Sequence, residues 1–433
     1  MSSPCSEAPS KYFPLDRARL EKLSQQFPTP FYIYDEKAIL ENVRRIKAAF
    51  SIFPSYINYF AVKALPNPYI LKILAAEGFG ADCSSSPELL LAEMAGMQGE
   101  NIMLTSNETP ADEYRAARKM GAVINLDDYS HIEFLEKTAG LPDLVSFRYN
   151  PGPMKEGNAI IGKPEEAKYG FMREQLFKGY ALLKEKGVKR FALHTMVASN
   201  ELSIPYHIET AQLLFKLAVE IKNKTGISLE FINLGGGMGI PYRPDQKAID
   251  YQVLASGIQK MYNEILIPDG LNPGIRTEWG RVVTGPYGWL VARAVHKKEI
   301  YRNYIALDAC MADLMRPALY GAYHHITISG KEDVPLTEVY DVVGSLCENN
   351  DKFAIQRNLP KIDVASEGGK GDFAIIHDAG AHGRSMGFNY NGKLRCGELL
   401  LRQDGSVVQI RRPETADDYF ATLDLCGVSE FSP

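Results

Sequence analysis

Lys63 closes the apolar run Tyr59-Phe60-Ala61-Val62, where a buried strand would end. A lysine placed there has two uses. It can reach water or an acid along its stem, or it can be an amine whose charged form desolvation disfavours and which condenses with a carbonyl. A second feature is the run Gly235-Gly236-Gly237-Met238-Gly239, which follows the apolar residues Phe231 to Leu234. Four glycines in five residues let backbone N–H groups close around a phosphate, although such loops also bind other anions or none. The spacing is not Gly-x-Gly-x-x-Gly, so the loop is no dinucleotide fingerprint. Glu278 stands at the end of another short stretch expected to be a strand, and Asp82, Asn125, Arg148 and His194 end others. Singly, a strand-end aspartate can be a helix cap and a lone histidine a hydrogen-bonded core residue. Together they are hard to attribute to packing.

An amine, a phosphate loop and a carboxylate suit pyridoxal 5'-phosphate. The lysine would hold the aldehyde, the loop the phosphate, and Glu278 would pair with the pyridine nitrogen, keeping the ring an electron sink.

These residues need a frame that brings strand ends to one place. From Tyr56 onward, short apolar strands alternate with amphipathic helices, the pattern of a parallel sheet covered by helices. The strands are expected at 56–63, 80–83, 102–104, 123–125, 144–150, 190–194, 231–234 and 274–278. Eight such units over roughly 250 residues match an α/β fold of the (β/α)8 barrel type, whose active site lies at the C-terminal strand ends. An open doubly wound sheet is the competing arrangement. After about Gly285 the rhythm becomes all-β, with strands expected at 290–295, 304–306, 324–328, 339–343, 372–376, 398–401 and 407–410 and a short helix near Ala312 to Tyr320. The expected organisation is therefore an N-terminal segment 1–34 whose Phe31-Tyr34 strand partly joins the β domain, a barrel 35–285 and a C-terminal β domain 286–433.

Composition narrows the partners. With 433 residues, 45% apolar and 23% charged, the chain reads as a soluble globular protein with more than one domain. A net charge of -5 without a basic block argues against nucleic acid or an anionic membrane as partner. Six scattered cysteines with no Cys-x-x-Cys fit reduced thiols in a cytoplasmic protein, with no metal site. No signal peptide is expected in the polar stretch Met1 to Lys11, and no apolar run is long enough to span a bilayer.

The motifs resemble those of the fold-type III pyridoxal-phosphate decarboxylases, and within them are most similar to the diaminopimelate decarboxylases. Phe60-Ala61-Val62-Lys63-Ala64, Asp82-Cys83-Ser84-Ser85-Ser86-Pro87-Glu88 and Asn233 to Gly239 resemble the lysine, second-strand and phosphate-loop motifs. Met311 to Tyr320, Cys347-Glu348-Asn349-Asn350-Asp351, Asp378-Ala379-Gly380-Ala381 and Asn389-Tyr390-Asn391 resemble motifs of the β domain, so the likeness runs from Phe31 to about Tyr419. The resemblance implies decarboxylation of meso-2,6-diaminopimelate to L-lysine and carbon dioxide. It also implies a homodimer with shared active sites, reached by Cys347 and Glu348 of the partner copy. Lys63 and Cys347 would be catalytic. Asp82, His194, Met196, Ser199, Gly235, Gly236, Gly237, Glu278 and Tyr390 would meet the cofactor, and Arg281, Arg316, Tyr320, Glu348 and Tyr390 the substrate.

Two positions depart from the family pattern. Glu278-Trp279-Gly280-Arg281 stands where Glu-Pro-Gly-Arg is usual, read as a local packing change. His194-Thr195-Met196-Val197-Ala198-Ser199 stands for His-x-His-Ile-Gly-Ser, so Met196 replaces the histidine that stacks on the cofactor. Residues two apart on a strand share a face, which points His194 and Met196 into the same mouth. Other readings are a decarboxylase of ornithine, lysine or a carboxylated polyamine, a racemase, and a non-catalytic binding protein. Glu278 disfavours the racemase, whose resembling barrels place arginine at the pyridine nitrogen. Lys63, Glu278 and Cys347 together argue against the binding protein.

Overall fold

The computed structural model describes residues 11–157 and 162–424. The polar N-terminal stretch before Lys11, with Cys5, and Cys426 near the other end lie outside the described residues. The chain divides into two compact units, Lys37–Pro286 and Lys11–Glu36 together with the residues from Tyr287 onward.

Strand β1, Phe31–Asp35, is part of the second unit. The first unit is a closed barrel of eight parallel strands: β2 Tyr56–Ala61, β3 Gly80–Cys83, β4 Ile102–Thr105, β5 Val123–Leu126, β6 Leu144–Tyr149, β7 Arg190–Thr195, β8 Phe231–Asn233 and β9 Gly274–Thr277. Pairing of β2 with β9 closes the ring, which excludes the open sheet. Every expected barrel strand is present to within two residues at its C-terminal end. They were legible because β3 to β6 are buried at every position, as strands covered on both faces must be. Tyr59, Met103, Val123, Leu144, Ala192 and Phe231 come from six strands and form one apolar cluster, so they fill the barrel interior.

The helices between the strands begin where local chemistry allows. Asn67 accepts the N–H of Tyr69 at 3.0 Å and Pro68 opens the helix Pro68–Ala76. Before the helix Ser86–Met94, Ser85 takes the cap position without a side-chain hydrogen bond, and the Glu88 carboxylate instead accepts the N–H of Ser84 at 2.7 Å. The long connection after β6 folds back on its own strand: Phe171 N–H donates to Arg148 O at 2.8 Å, and Asn150 N–H to Phe171 O at 3.0 Å.

The second unit is a nine-stranded mixed sheet. Its strands are β1 with β10 Gly288–Glu299, β11 Asn303–Leu307, β12 Ile326–Ile328, β13 Glu338–Val343, β14 Lys352–Leu359, β15 Phe373–Ile376, β16 Gly397–Leu401 and β17 Val407–Arg411. β1 lies between β10, antiparallel, and β16, parallel. The helix Arg17–Gln26 places Leu20 in an apolar cluster with Phe31, Ile33, Trp289, Phe373 and Leu399. One strand, β14, was not expected. Among the described residues it pairs only with β13, its register with that strand shifts twice, and Gln356 has φ +48°, so its polar, irregular sequence gives no clean alternation. No helix among the described residues is long and apolar enough to cross a membrane.

Candidate active site

The barrel gathers the expected strand-end residues. The first strand stops at Ala61, paired with Asp82, and the chain turns into a 3-10 segment, Val62–Ala64, that carries Lys63. Lys63 is therefore exposed, where a buried strand terminus was expected. The turn lifts the side chain out of the sheet, so its amine is offered at the open end of the barrel. The glycine after Trp279 abuts this turn: a Cβ on Gly280 would stand 2.7 Å from Ala64 Cβ and 3.1 Å from Ala61 Cβ.

Below that turn lies a fully buried polar chain. Asn125 Nδ2 donates to His194 Nδ1 at 3.0 Å, and His194 Nε2 donates to Glu278 Oε2 at 2.9 Å. Asn233 Nδ2 donates to Glu278 Oε1 at 2.8 Å, and the Gly235 N–H fixes that amide by donating to Asn233 Oδ1 at 2.9 Å. Burial, the largest influence on His194, holds the imidazole below its ordinary value against the pull of Glu278. Burial works against ionisation of Glu278 too, yet His194, Arg148 and Lys63 together hold its carboxyl below the usual range. The lowered His194 value describes a neutral imidazole donating its Nε2–H to Glu278. Asp82 behaves oppositely. Burial first, then the Glu278 charge, push its carboxyl well up, and its Oδ1 is buried without a hydrogen-bond partner.

Arg148 pairs with Asp127 at 3.1 Å and lies 4.8 Å from the centre of the Tyr169 ring. Burial pushes Asp127 up to about 6 against the pull of that guanidinium.

The glycine loop packs tightly against the segment after β7. A Cβ on Gly235 would stand 1.9 Å from Thr195 O, and one on Gly237 2.5 Å from Ala198 O, with both glycines at positive φ. Close backbone approach thus requires these glycines independently of any anion. Met196 lies just past the end of β7, half-buried, with its Sδ 3.5 Å from where a Gly236 Cβ would sit. Its neighbour is the glycine loop, and strand alternation no longer sets its direction. Arg281, buried, donates from Nη1 to the Tyr242 hydroxyl at 2.5 Å and from Nη2 to Ser199 Oγ at 3.4 Å.

The second unit gathers the remaining candidates. Arg316 opens the short helix Arg316–Tyr320 and is 8% exposed, whereas Tyr320 at its other end is 65% exposed. Cys347 and Glu348 are exposed on a loop anchored by Asp351, whose carboxylate accepts the N–H groups of Met311 at 2.7 Å and Leu346 at 2.8 Å. Asn350 Nδ2 donates to Ala318 O at 2.8 Å, tying this loop to the Arg316 helix. The Cys347 N–H donates to Asn391 Oδ1 at 2.8 Å, tying it to the turn that bears Tyr390. Arg316, Tyr320, Cys347, Glu348 and Tyr390 are therefore neighbours by loop tethering. Asp313, the acid nearest Arg316 in sequence, uses its carboxylate on the N–H groups of Cys310 at 3.1 Å and Cys396 at 3.0 Å.

Asn58, Asn233, Asp127 and Tyr242 were given no role by sequence reasoning. Asn58 carried a signal, since a lone amide inside the buried run Tyr56–Ala61 demands partners. Asp127 and Tyr242 gain their places only through tertiary contact.

An exposed amine, a glycine-lined turn and a buried ionised carboxylate form the donor set that an aromatic aldehyde bearing a phosphate and a ring nitrogen requires. Residues 37–285 match the family model for pyridoxal-dependent decarboxylase, pyridoxal binding domain. The chain belongs to this family; it is a decarboxylase, and pyridoxal phosphate is its cofactor. Among individual proteins, it is 42% identical to Protein TabA of Pseudomonas amygdali pv. tabaci over 98% of this chain and 97% of that relative. It is 34% identical to the diaminopimelate decarboxylase of Methanothermobacter thermautotrophicus over 92% of each chain. The crystal structure of diaminopimelate decarboxylase from M. jannaschii in co-complex with L-lysine superposes with a TM-score of 0.86 at 30% identity, covering 94% of each chain.

The buried histidine makes stability depend on pH. Its folded value lies below 6.5, so the unfolded chain binds the extra proton. The stability carried by the neutral ring is present above pH 6.5 and is lost as the pH falls, by at most about 1.4 kcal/mol per pH unit. His194→Gln should flatten that decline relative to the parent, read as melting temperature against pH; parallel profiles would contradict a neutral buried imidazole.

Proposed function

We propose that this decarboxylase acts on meso-2,6-diaminopimelate, giving L-lysine and carbon dioxide, the last step of lysine biosynthesis. The observation that carries the reading is Arg316, a guanidinium 8% exposed at the head of its short helix. A guanidinium suits a carboxylate, and only a substrate with a carboxylate at its distal end presents one there.

Bound in the barrel, pyridoxal phosphate supplies the sink for the electron pair left on the substrate carbon when carbon dioxide departs. Lys63 holds the cofactor by its amine, and the Gly235–Gly237 turn, Ser199 and Tyr390 hold its phosphate. Glu278 keeps a proton at the ring nitrogen, its own charge secured by His194 and Asn233. Met196 would meet one ring face, where a thioether contact contributes about 0.3–1.5 kcal/mol. Asp82 completes the cofactor pocket. Arg281 and Tyr320 orient the substrate, while Arg316 grips its distal carboxylate and Glu348 its distal ammonium. Cys347 returns a proton to the carbon that lost carbon dioxide. Two copies of the chain share their sites, Cys347 and Glu348 of one acting with Lys63 of the other. The free thiols of Cys83, Cys310, Cys347 and Cys396 suit a cytoplasmic setting.

A second reading is decarboxylation of another amino acid, such as ornithine, lysine or a carboxylated polyamine. Protein TabA, which does not bear the name of a diaminopimelate decarboxylase, is 42% identical to this chain, against 34% for the Methanothermobacter thermautotrophicus diaminopimelate decarboxylase.

Borohydride reduction of the cofactor-loaded protein, followed by peptide mass mapping, should place the pyridoxyl label on Lys63; a label on another lysine would remove it from this role. Carbon dioxide release from meso-diaminopimelate, L-lysine and L-ornithine, assayed side by side, should favour the dicarboxylate by orders of magnitude. Arg316→Ala should raise KM for it by about 10- to 100-fold, the loss of a charged hydrogen-bond pair. Comparable turnover of L-lysine by the parent would favour the second reading. Mixed chains carrying Cys347→Ala or Lys63→Ala, each inactive alone, should regain part of the activity through one intact site per mixed dimer. No recovery despite demonstrated subunit exchange would exclude shared sites.

A further inference from the structure

The segment bearing Glu278 is gripped from the opposite side of the barrel seam by a residue with no role so far. Asn58 is fully buried on β2, where it is the register partner of Thr277 on β9. Its Oδ1 accepts the Thr277 hydroxyl at 2.8 Å and the Trp279 N–H at 2.9 Å. Its Nδ2 donates to Trp279 O at 3.2 Å. One amide therefore engages the residues immediately before and after Glu278 and leaves Glu278 itself untouched. From the other side, the Glu278 N–H donates to Gly235 O at 2.9 Å. With its backbone held on both flanks, the carboxylate can be aimed only by rotation of its own side chain, and His194 and Asn233 stop that.

The Trp279 N–H is what makes this grip available. Proline has no N–H, so with the Glu-Pro-Gly-Arg pattern usual in the resembling motif Asn58 would lose this donor. The indole is buried as well, with its ring 5.1 Å edge-on from Phe50 and 6.5 Å from Tyr251. Those contacts explain why a large side chain fits here. They do not explain why a buried amide on the neighbouring strand spends its acceptor on this backbone. The next residue, Gly280, abuts the turn that presents Lys63, so a shift of this segment would also displace the amine.

We propose that Asn58 is a positioning residue which, through the N–H of Trp279 and the hydroxyl of Thr277, sets the Glu278 carboxylate against the cofactor's ring nitrogen. It does so by backbone restraint, the part that a fixed proline ring would otherwise play. The inference rests on the reading that Glu278 meets that nitrogen.

The test uses the apo protein titrated with pyridoxal phosphate and the loaded protein's absorbance as a function of pH. Asn58→Leu keeps the volume and removes all three hydrogen bonds. It should weaken cofactor affinity about tenfold, the worth of one or two buried hydrogen bonds. It should also move the spectral pH midpoint in the same direction as Glu278→Gln. Thr277→Val should do so in part. Thr277→Ser, which keeps the hydroxyl, and Trp279→Phe, which keeps the N–H, should leave the spectral midpoint in place. If Asn58→Leu does not fold, the contrast between Thr277→Val and Thr277→Ser decides. A lower melting temperature with unchanged affinity and midpoint would show Asn58 to be structural only and overturn the proposal while the Glu278 reading stands. If Glu278→Gln itself moves neither affinity nor midpoint, the Glu278 reading fails and the proposal falls with it.

Discussion

Keeping a charged carboxylate at Glu278, 5% exposed at the mouth of the barrel, is the constraint on which the rest of the site depends. An ion so placed costs several kcal/mol unless donors surround it. Here the donors are the Nε2–H of His194 and the Nδ2–H of Asn233, and each is itself locked, by Asn125 and by the Gly235 N–H. Asn125, His194 and Asn233 sit on β5, β7 and β8, and Glu278 follows β9 directly. The register that sets His194 opposite Asn233 makes the arrangement a product of barrel closure. A one-residue slip in β7 or β8 would turn its side chain to the other face and remove one of the two donors, and a slip in β5 would free the imidazole that supplies the other.

The same constraint clarifies the glycine loop. Its composition meets two demands at once. Backbone approach to Thr195 O and Ala198 O leaves no room for a Cβ at Gly235 and Gly237, and the same bareness suits an anion. Glycine content alone could not separate these demands. The close contacts show that packing by itself requires these residues.

Two residues outside the family pattern border this region. Met196 places its sulfur next to Gly236, and Trp279 follows Glu278, whose carbonyl oxygen would be 2.8 Å from a Cβ on Gly236. Both departures are therefore neighbours of one glycine. Trp279 differs from proline in a way composition hides: its N–H adds a hydrogen bond across the seam between β2 and β9.

The eightfold alternation of short buried strands with amphipathic helices made a parallel sheet covered by helices legible, and the pairing of β2 with β9 decided its closure into a barrel. The Lys63, Glu278 and glycine-loop motifs likewise carried the family in the sequence itself. Irregular backbone escaped that reading: β14 is an edge strand with shifted register, and Lys63 leaves its strand through a 3-10 turn that exposes a side chain expected to be buried. Neither leaves a periodic trace. Only the tertiary structure decided that Asn233, Asn58 and Asp127 belong to the polar framework, since each acquires its partner from a strand or loop distant in sequence. It also decided how burial and neighbouring charge act on the acids of the mouth. Two carboxyls of similar intrinsic acidity, Asp82 and Glu278, are driven in opposite directions, because Glu278 receives two hydrogen-bond donors while burial and the Glu278 charge outweigh what Asp82 receives.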